Sequence, residues 1–409
     1  MILDKLDIFK KIEFLVGDVN FIDPKTIFPL RVFDKRVLLF LNDLSNFLLK
    51  SDDAKKFPEV YSFGFYCRMA NLKNYENRIK SSENFNIGRG IALHFAPSNV
   101  PINFAYSLVS GLVTGNINCI RISNRNFDEV NYLIQCLNII LLNKKHSFLK
   151  KYINIIRYEY NEEITDYLSS ICDIRIIWGG DDTISEIRKS KISPKAIDVP
   201  FANRYSGLII EAENYLNEKD HMAISRKFFN DTYLYGNNSC TTPKLIFWIG
   251  IKKTINIAKQ KFWTSFETYI SERNFSESPI RGLNTFSSLS LAASDDVVQA
   301  INQNIDKNIT RIEVKHKDLS EKLNHYCSDS NIFIESSSDK EDDILRYINK
   351  SFQTLLYIGF NAKTLAEKLV NKGILGVDRI VPVGQGADFD LIWDGYDLIN
   401  TLTRNITTR

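Results

Sequence analysis

One cysteine, Cys240, sits among small polar residues in Gly236-Asn237-Asn238-Ser239-Cys240-Thr241-Thr242-Pro243. It lies between a helical stretch and the apolar run Leu245-Ile246-Phe247-Trp248-Ile249. Substrate can reach a thiol in such a setting, whereas a structural cysteine is usually embedded in an apolar run. Its thiolate is a nucleophile that can form a thioester with an acyl group, which divides one difficult step into two easier ones. Far upstream, Asn99 lies in the turn Pro97-Ser98-Asn99-Val100-Pro101. An asparagine fixed between two prolines is a neutral hydrogen-bond donor on a stiff mount, as stabilising an oxyanion requires. Each feature alone has a plainer reading. The turn can be held by an asparagine bonding its own backbone, and lone cysteines in polar loops are common.

The elements that must carry these residues alternate between strand and helix. Residues 1 to about 80 are mainly helical by pattern and end in a polar stretch around Ser81-Ser82-Glu83. Strands are then predicted at Ile91–Phe95, Ile117–Ile122, Ile153–Tyr158 and Ile174–Trp178. Helices fall between them: one from near Ile102 to about Val113, one over about Asp128–Leu142 and one from about Glu162. This spacing predicts a parallel sheet with helices on both faces. Phe201-Ala202-Asn203-Arg204-Tyr205-Ser206 marks a change, beyond which lie the cysteine loop and a second α/β block reaching about Val383. Ser336-Ser337-Ser338-Asp339 reads as an exposed loop within it.

A nucleotide site should lie at the carboxyl ends of the first block's strands. No GxGxxG run is present. One candidate is Gly179-Gly180, after the strand ending at Trp178 and before a helix containing Thr183-Ile184-Ser185-Glu186-Ile187. Glycines let backbone approach a pyrophosphate, and a helix N-terminus favours an anion. Asp181 and Asp182 oppose this, because carboxylates repel phosphate; N-capping is their simplest role. A second candidate is Arg121 with Ser123, at the end of the Ile117 strand, where a surface cation is the alternative.

Composition excludes several classes. The chain of 409 residues suits two domains, and 44% hydrophobic with 25% charged residues is usual for a globular protein. A net charge of +3 without a basic stripe argues against nucleic acid. The longest apolar run, around Leu133 to Leu142, is too short to span a membrane, and the N-terminus lacks the layout of a secretory signal. A cytoplasmic protein is therefore expected. Six cysteines, at 67, 119, 136, 172, 240 and 327, form no CxxC pair, and the five histidines form no ligand cluster, so neither disulfides nor a metal site are predicted. His94 is read as a satisfied, partly buried side chain.

Taken together, the asparagine turn, the cysteine loop and three further segments resemble the LuxC-type acyl-CoA reductases of the aldehyde dehydrogenase superfamily. Those segments are Ile176-Ile177-Trp178-Gly179-Gly180-Asp181, Val377-Asp378-Arg379-Ile380-Val381-Pro382-Val383-Gly384-Gln385 and Trp393-Asp394-Gly395-Tyr396-Asp397. The resemblance runs from about Gly88 to about Arg404. It implies an aldehyde-dehydrogenase-like α/β fold with a parallel-sheet nucleotide-binding domain and a second α/β domain carrying the cysteine. The expected boundaries are 1–204, 205–383 and a segment 384–409 returning to the first domain.

The resemblance also implies NADPH-dependent reduction of an acyl thioester to the aldehyde through an acyl-Cys240 intermediate, with Asn99 and the Cys240 N–H holding the oxyanion. The related enzymes carry a cofactor-binding lysine where this chain has Arg121, whose planar fork suits phosphate. An acyl-CoA or an acylated partner protein of the acyl-protein synthetase type is the implied donor, and a homo-oligomer the expected assembly. Aldehyde oxidation and cofactor-free cysteine acyl transfer or thioester hydrolysis stay open as alternatives. Hydrolytic aldehyde dehydrogenases carry a water-activating glutamate in a segment that corresponds to Pro200-Phe201-Ala202-Asn203-Arg204 here, so proline replaces the base. Glu211 or Glu213 could substitute.

Overall fold

A computed structural model describes residues 8–22, 28–79, 85–234, 239–273, 279–293, 295–304, 309–315 and 332–408. The polar stretch at 81–83, Cys327 and the Gly236-Asn237-Asn238 part of the cysteine loop lie outside them. The chain forms two compact units, one of residues 1–202 with 389–409, the other of residues 203–388.

The first unit has strands β1 (Glu13–Val16), β2 (Phe85–Gly88), β3 (Ile91–Phe95), β4 (Ile117–Arg121), β5 (Ile153–Arg157), β6 (Ile174–Trp178) and β7 (Ile197–Phe201), with helices between them except between β2 and β3, which are joined directly. Apart from β2 they form one sheet in the order β1-β5-β4-β3-β6-β7. All neighbours from β5 to β7 are parallel, and only β1 runs antiparallel, beside β5. Strands β3 to β6 are buried along almost their whole length, as unbroken apolar runs require when helices cover both faces. The connecting helices start on local signals. Asn161 accepts from the Ile164 N–H to cap Glu162–Ile171, and Asp128 and Glu129 occupy the first turn of Asp128–Leu142. Pro200 lies in β7, the sheet edge, where a missing N–H is tolerated. The C-terminal strand Thr403–Ile406 pairs antiparallel with β2.

The second unit has strands β8 (Tyr205–Glu211), β9 (Pro243–Ile249), β10 (Val298–Asn304), β11 (Ile309–Val314), β12 (Ile332–Ser338), β13 (Phe352–Ile358) and β14 (Arg379–Pro382). They form a sheet ordered β10-β11-β12-β9-β8-β13-β14, parallel except for the edge pair β10–β11. Side-chain alternation divides its core in two. Leu208, Ile210, Ile246 and Trp248 pack on one face with Phe228 and Trp263, while Ile209, Leu245, Phe247 and Phe352 pack on the other.

The N-terminal region is mainly helical and adds one strand, β1, because Glu13–Val16 finds a partner in β5. Two sequence expectations change. Ser336–Ser338 end the buried strand β12 and are no exposed loop: Ser336 Oγ bonds Tyr347 Oη at 2.8 Å, and Ser338 Oγ bonds Asp343. The return to the first unit begins at Phe389, not at 384. Buried Asp231 accepts from the amides of Gly384 and Gly386, and Arg379 donates to the carbonyls of Gln385, Gly386 and Asp388. These two side chains keep residues 384–388 in the second unit.

Candidate active site

In the first unit, β3 and β6 adjoin, yet the chain runs from β3 outward to β4 and β5 on one side and through β6 to β7 on the other. That reversal is a topological switch point, and ligands of such sheets bind outside the carboxyl ends of the strands that flank it. Register places Phe95 beside both Arg121 and Ile177. The Ala96–Asn99 turn, Arg121–Ser123 and Gly179–Gly180 therefore leave the sheet at the same edge. Arg121 and Gly179 follow strands two steps apart, or about 10 Å.

Each candidate has a defined setting. Asn99 is exposed in the turn that precedes the helix Asn103–Val113. Arg121 is half-buried, with its guanidinium 5.5 Å from the centroid of the Tyr158 ring. Ser123 Oγ accepts from the Arg125 N–H at 3.2 Å. The Gly179 N–H donates to the Phe201 carbonyl, and a Cβ there would stand 3.2 Å from Thr183. Gly180 itself occupies the N-cap of Asp181–Ile187 and brings no capping side chain. Asp181 and Asp182 fall in the first turn, which corrects their reading as caps.

Behind this edge lies a polar chain not foreseen from the sequence. Trp178 Nε1 donates to Ser107 Oγ at 3.0 Å, Ser107 Oγ lies 2.7 Å from His94 Nδ1, and His94 Nε2 lies 3.0 Å from Asn118 Oδ1. The Asn118 amide group donates to the carbonyls of Asn116 and Tyr152, so its oxygen accepts from His94. His94 is thus protonated on Nε2, and Ser107 donates to Nδ1. Burial holds the imidazole neutral and lowers its pKa to about 4. The indole of Trp178 stacks on Phe201 at 3.7 Å between centroids and 9° between planes. The only hint in the sequence was a histidine in an otherwise apolar strand.

In the second unit, Cys240 lies at the amino edge of the sheet, in tight turns just before β9. Ser239 Oγ bonds Thr241 Oγ1 at 2.8 Å, and the Thr242 N–H donates to the Ser239 carbonyl. Among the five described cysteines, Cys240 alone is half-buried. Burial pushes the thiols of Cys67, Cys119, Cys136 and Cys172 up, which disfavours their thiolates. Glu211 and Glu213 do not stand near Cys240. Ser206 of β8 pairs with Pro243 and Glu211 with Ile249, so Glu211 is about 17 Å along the sheet toward its opposite end. Its carboxylate caps the helix Ala212–Asn217.

Comparison with known proteins agrees with this architecture. The chain resembles solved lactaldehyde dehydrogenase from Escherichia coli (TM-score 0.61, 11% identity, 91% of this chain and 84% of the other). It also resembles an NAD-dependent benzaldehyde dehydrogenase from Corynebacterium glutamicum (TM-score 0.58, 11% identity, 91% and 84%). These likenesses show an aldehyde dehydrogenase fold. A long-chain acyl-protein thioester reductase of Aliivibrio fischeri is 26% identical over 165 residues, 40% of this chain and 32% of the relative. The matched part thus spans about a third of that relative's length. Residues 67–405 match the model of one family, and the chain belongs to it: the acyl-CoA reductase (LuxC) family.

Proposed function

We propose that this chain reduces a fatty acyl thioester, carried by CoA or by a partner protein, to the aldehyde, with NADPH as reductant and an acyl-Cys240 intermediate. The observation that carries this reading is the contrast among the thiols. Cys240 is half-buried in polar turns at a strand head, while the four other described cysteines are sealed in the core. The family, the fold and the named activity of the A. fischeri relative support the same class of chemistry.

The residues at the carboxyl edge of the first unit fit a nicotinamide nucleotide. Arg121 supplies a fork suited to phosphate, and Gly180 leaves the helix start without a capping side chain, although Asp181 and Asp182 in the first turn place negative charge there. Arg121, Ser123, Gly179 and Gly180 would hold it. When bound, this group supplies a hydride. The Cys240 thiolate attacks the thioester carbonyl carbon, and Asn99 and the Cys240 N–H stabilise the oxyanion. As the oxyanion collapses, the donor's C–S bond breaks and its thiolate takes up a proton, leaving the acyl group on Cys240. Once the carbonyl carbon is reduced, the bond to Cys240 breaks, the aldehyde leaves and the thiolate returns.

Reduction is favoured over oxidation with hydrolysis because the resemblance puts Pro200 where hydrolytic relatives carry the water-activating glutamate, and Glu211 lies at the end of its sheet opposite Cys240. The test is to supply the purified chain with NADPH and long-chain acyl-CoA or acylated protein. Stoichiometric loss of reduced cofactor and appearance of aldehyde are expected. Release of free acid without cofactor consumption would refute the reading.

A further inference from the structure

We infer that Ser206 positions Cys240 for acyl transfer, by tying the backbone of the cysteine to the neighbouring strand. The inference rests on Cys240 as the acyl acceptor. Ser206 is the second residue of β8 and is fully buried. Its Oγ donates to the Cys240 carbonyl at 2.7 Å and accepts from the Thr354 N–H of β13 at 3.2 Å. One hydroxyl thus bridges the cysteine turn and a strand 114 residues further on.

Strand register explains why a side chain is needed there. Against β9, Ser206 pairs with Pro243 and Gly207 with Leu245, so Lys244 is an extra residue in that ladder. Against β13, Tyr205 pairs with Phe352 and Gly207 with Leu355, so two residues of β13 face one of β8. Both flanking ladders therefore break at Ser206. Bulges leave main-chain groups unpaired and re-aim the residues beside them, and they concentrate next to active sites. The Ser206 hydroxyl takes up a carbonyl on one side and an N–H on the other. The tie also holds the peptide that follows Cys240, which limits how the residue can swing. Thr242 and Thr354 beside it are also buried, and neither hydroxyl has a bonding partner among the described residues, so Ser206 alone of these three side chains makes the tie.

A positioning residue differs from a merely structural one in which rates it moves. A small alkylating reagent makes slight demands on geometry, whereas acyl transfer needs the thiolate aligned with a carbonyl held by donors. Misplacement of about 1 Å is enough to cost such a step on the order of 100-fold.

The experiment compares wild type, Ser206→Ala and Ser336→Ala. Ser336 is a buried serine of the same unit whose hydroxyl bonds Tyr347, and it serves as the control for losing one interior hydrogen bond. Acylation by labelled long-chain acyl-CoA is timed without cofactor, the label is located by mass spectrometry, and alkylation of Cys240 by iodoacetamide is timed separately. Ser206→Ala is expected to slow acylation about 10- to 100-fold while alkylation changes less than about threefold. Ser336→Ala should leave both rates within about twofold. Acylation of Ser206→Ala at the wild-type rate would overturn the inference, as would parallel loss of acylation and alkylation shared by Ser336→Ala. Wild-type label on a residue other than Cys240 would instead refute the proposed function.

Discussion

His94 Nε2 donates to Asn118 Oδ1 at 3.0 Å, and this bond joins the adjacent strands β3 and β4 through side chains. It runs against the helix Asn103–Val113 at Gly111. A Cβ on Gly111 would stand 1.7 Å from Asn118 Oδ1 and 3.2 Å from His94 Nε2. Alanine in a helix interior ordinarily gains about 1 kcal/mol over glycine. Here the clash should reverse the sign, since overpacking of an interior costs about 1–3 kcal/mol. Gly111→Ala is expected to lower the denaturant midpoint; a raised midpoint would show that the contact yields easily.

The same histidine gives the fold a pH dependence. Its pKa of about 4 in the folded chain lies below the ordinary 6.5, chiefly through burial. The unfolded chain binds a proton at His94 that the folded chain refuses, so this contribution is complete above pH about 6.5 and is lost as pH falls toward 4. Between pH 7 and 5 the loss amounts to about 2 kcal/mol. His94→Gln should have a stability curve flatter by about that amount over the same range. Parallel curves for the two proteins would contradict the assignment.

Much of this was legible before the structure. Apolar runs such as Ile91–Phe95 and Ile174–Trp178 mark strands buried on both faces, and Phe201–Ser206 marks the passage from one unit to the other. The contacts that depend on register were not legible. Whether Glu211 faces Cys240 or lies at the far end of β8 is fixed by which strands pair and in which direction. Ser206 looks like any serine at a strand start until β9 and β13 are placed beside it. Ser336–Ser338 read as a loop because serine is common in turns, yet Ser336 is buried in β12 with its hydroxyl on Tyr347, and only Ser338, whose Oγ accepts from the Lys340 N–H, borders a turn.

Asn99 tests the oxyanion reading. On the proposed mechanism, Asn99→Ala should lower turnover by roughly 10²–10³, the usual loss for one such donor. Its exposure in a turn predicts little change in melting temperature. Turnover equal to wild type would leave the Pro97–Pro101 turn with a structural role only.

Arg121 tests cofactor selection. A guanidinium can bind a phosphate through two parallel hydrogen bonds, and NADPH has one phosphate more than NADH. Arg121→Ala is expected to raise the KM for NADPH more than that for NADH. Equal increases for both cofactors would remove Arg121 from discrimination of the phosphate.

The most direct measurement follows the acyl group itself. Wild type and Cys240→Ala are incubated with labelled long-chain acyl-CoA without cofactor, and the label is traced before and after NADPH is added. Wild type should hold the label as a thioester at Cys240, release free acid slowly, and discharge aldehyde when NADPH arrives. Cys240→Ala should take up no label and form no aldehyde, because the other described thiols are buried. A stable acyl-enzyme or continued aldehyde formation in Cys240→Ala would contradict the assignment of the nucleophile.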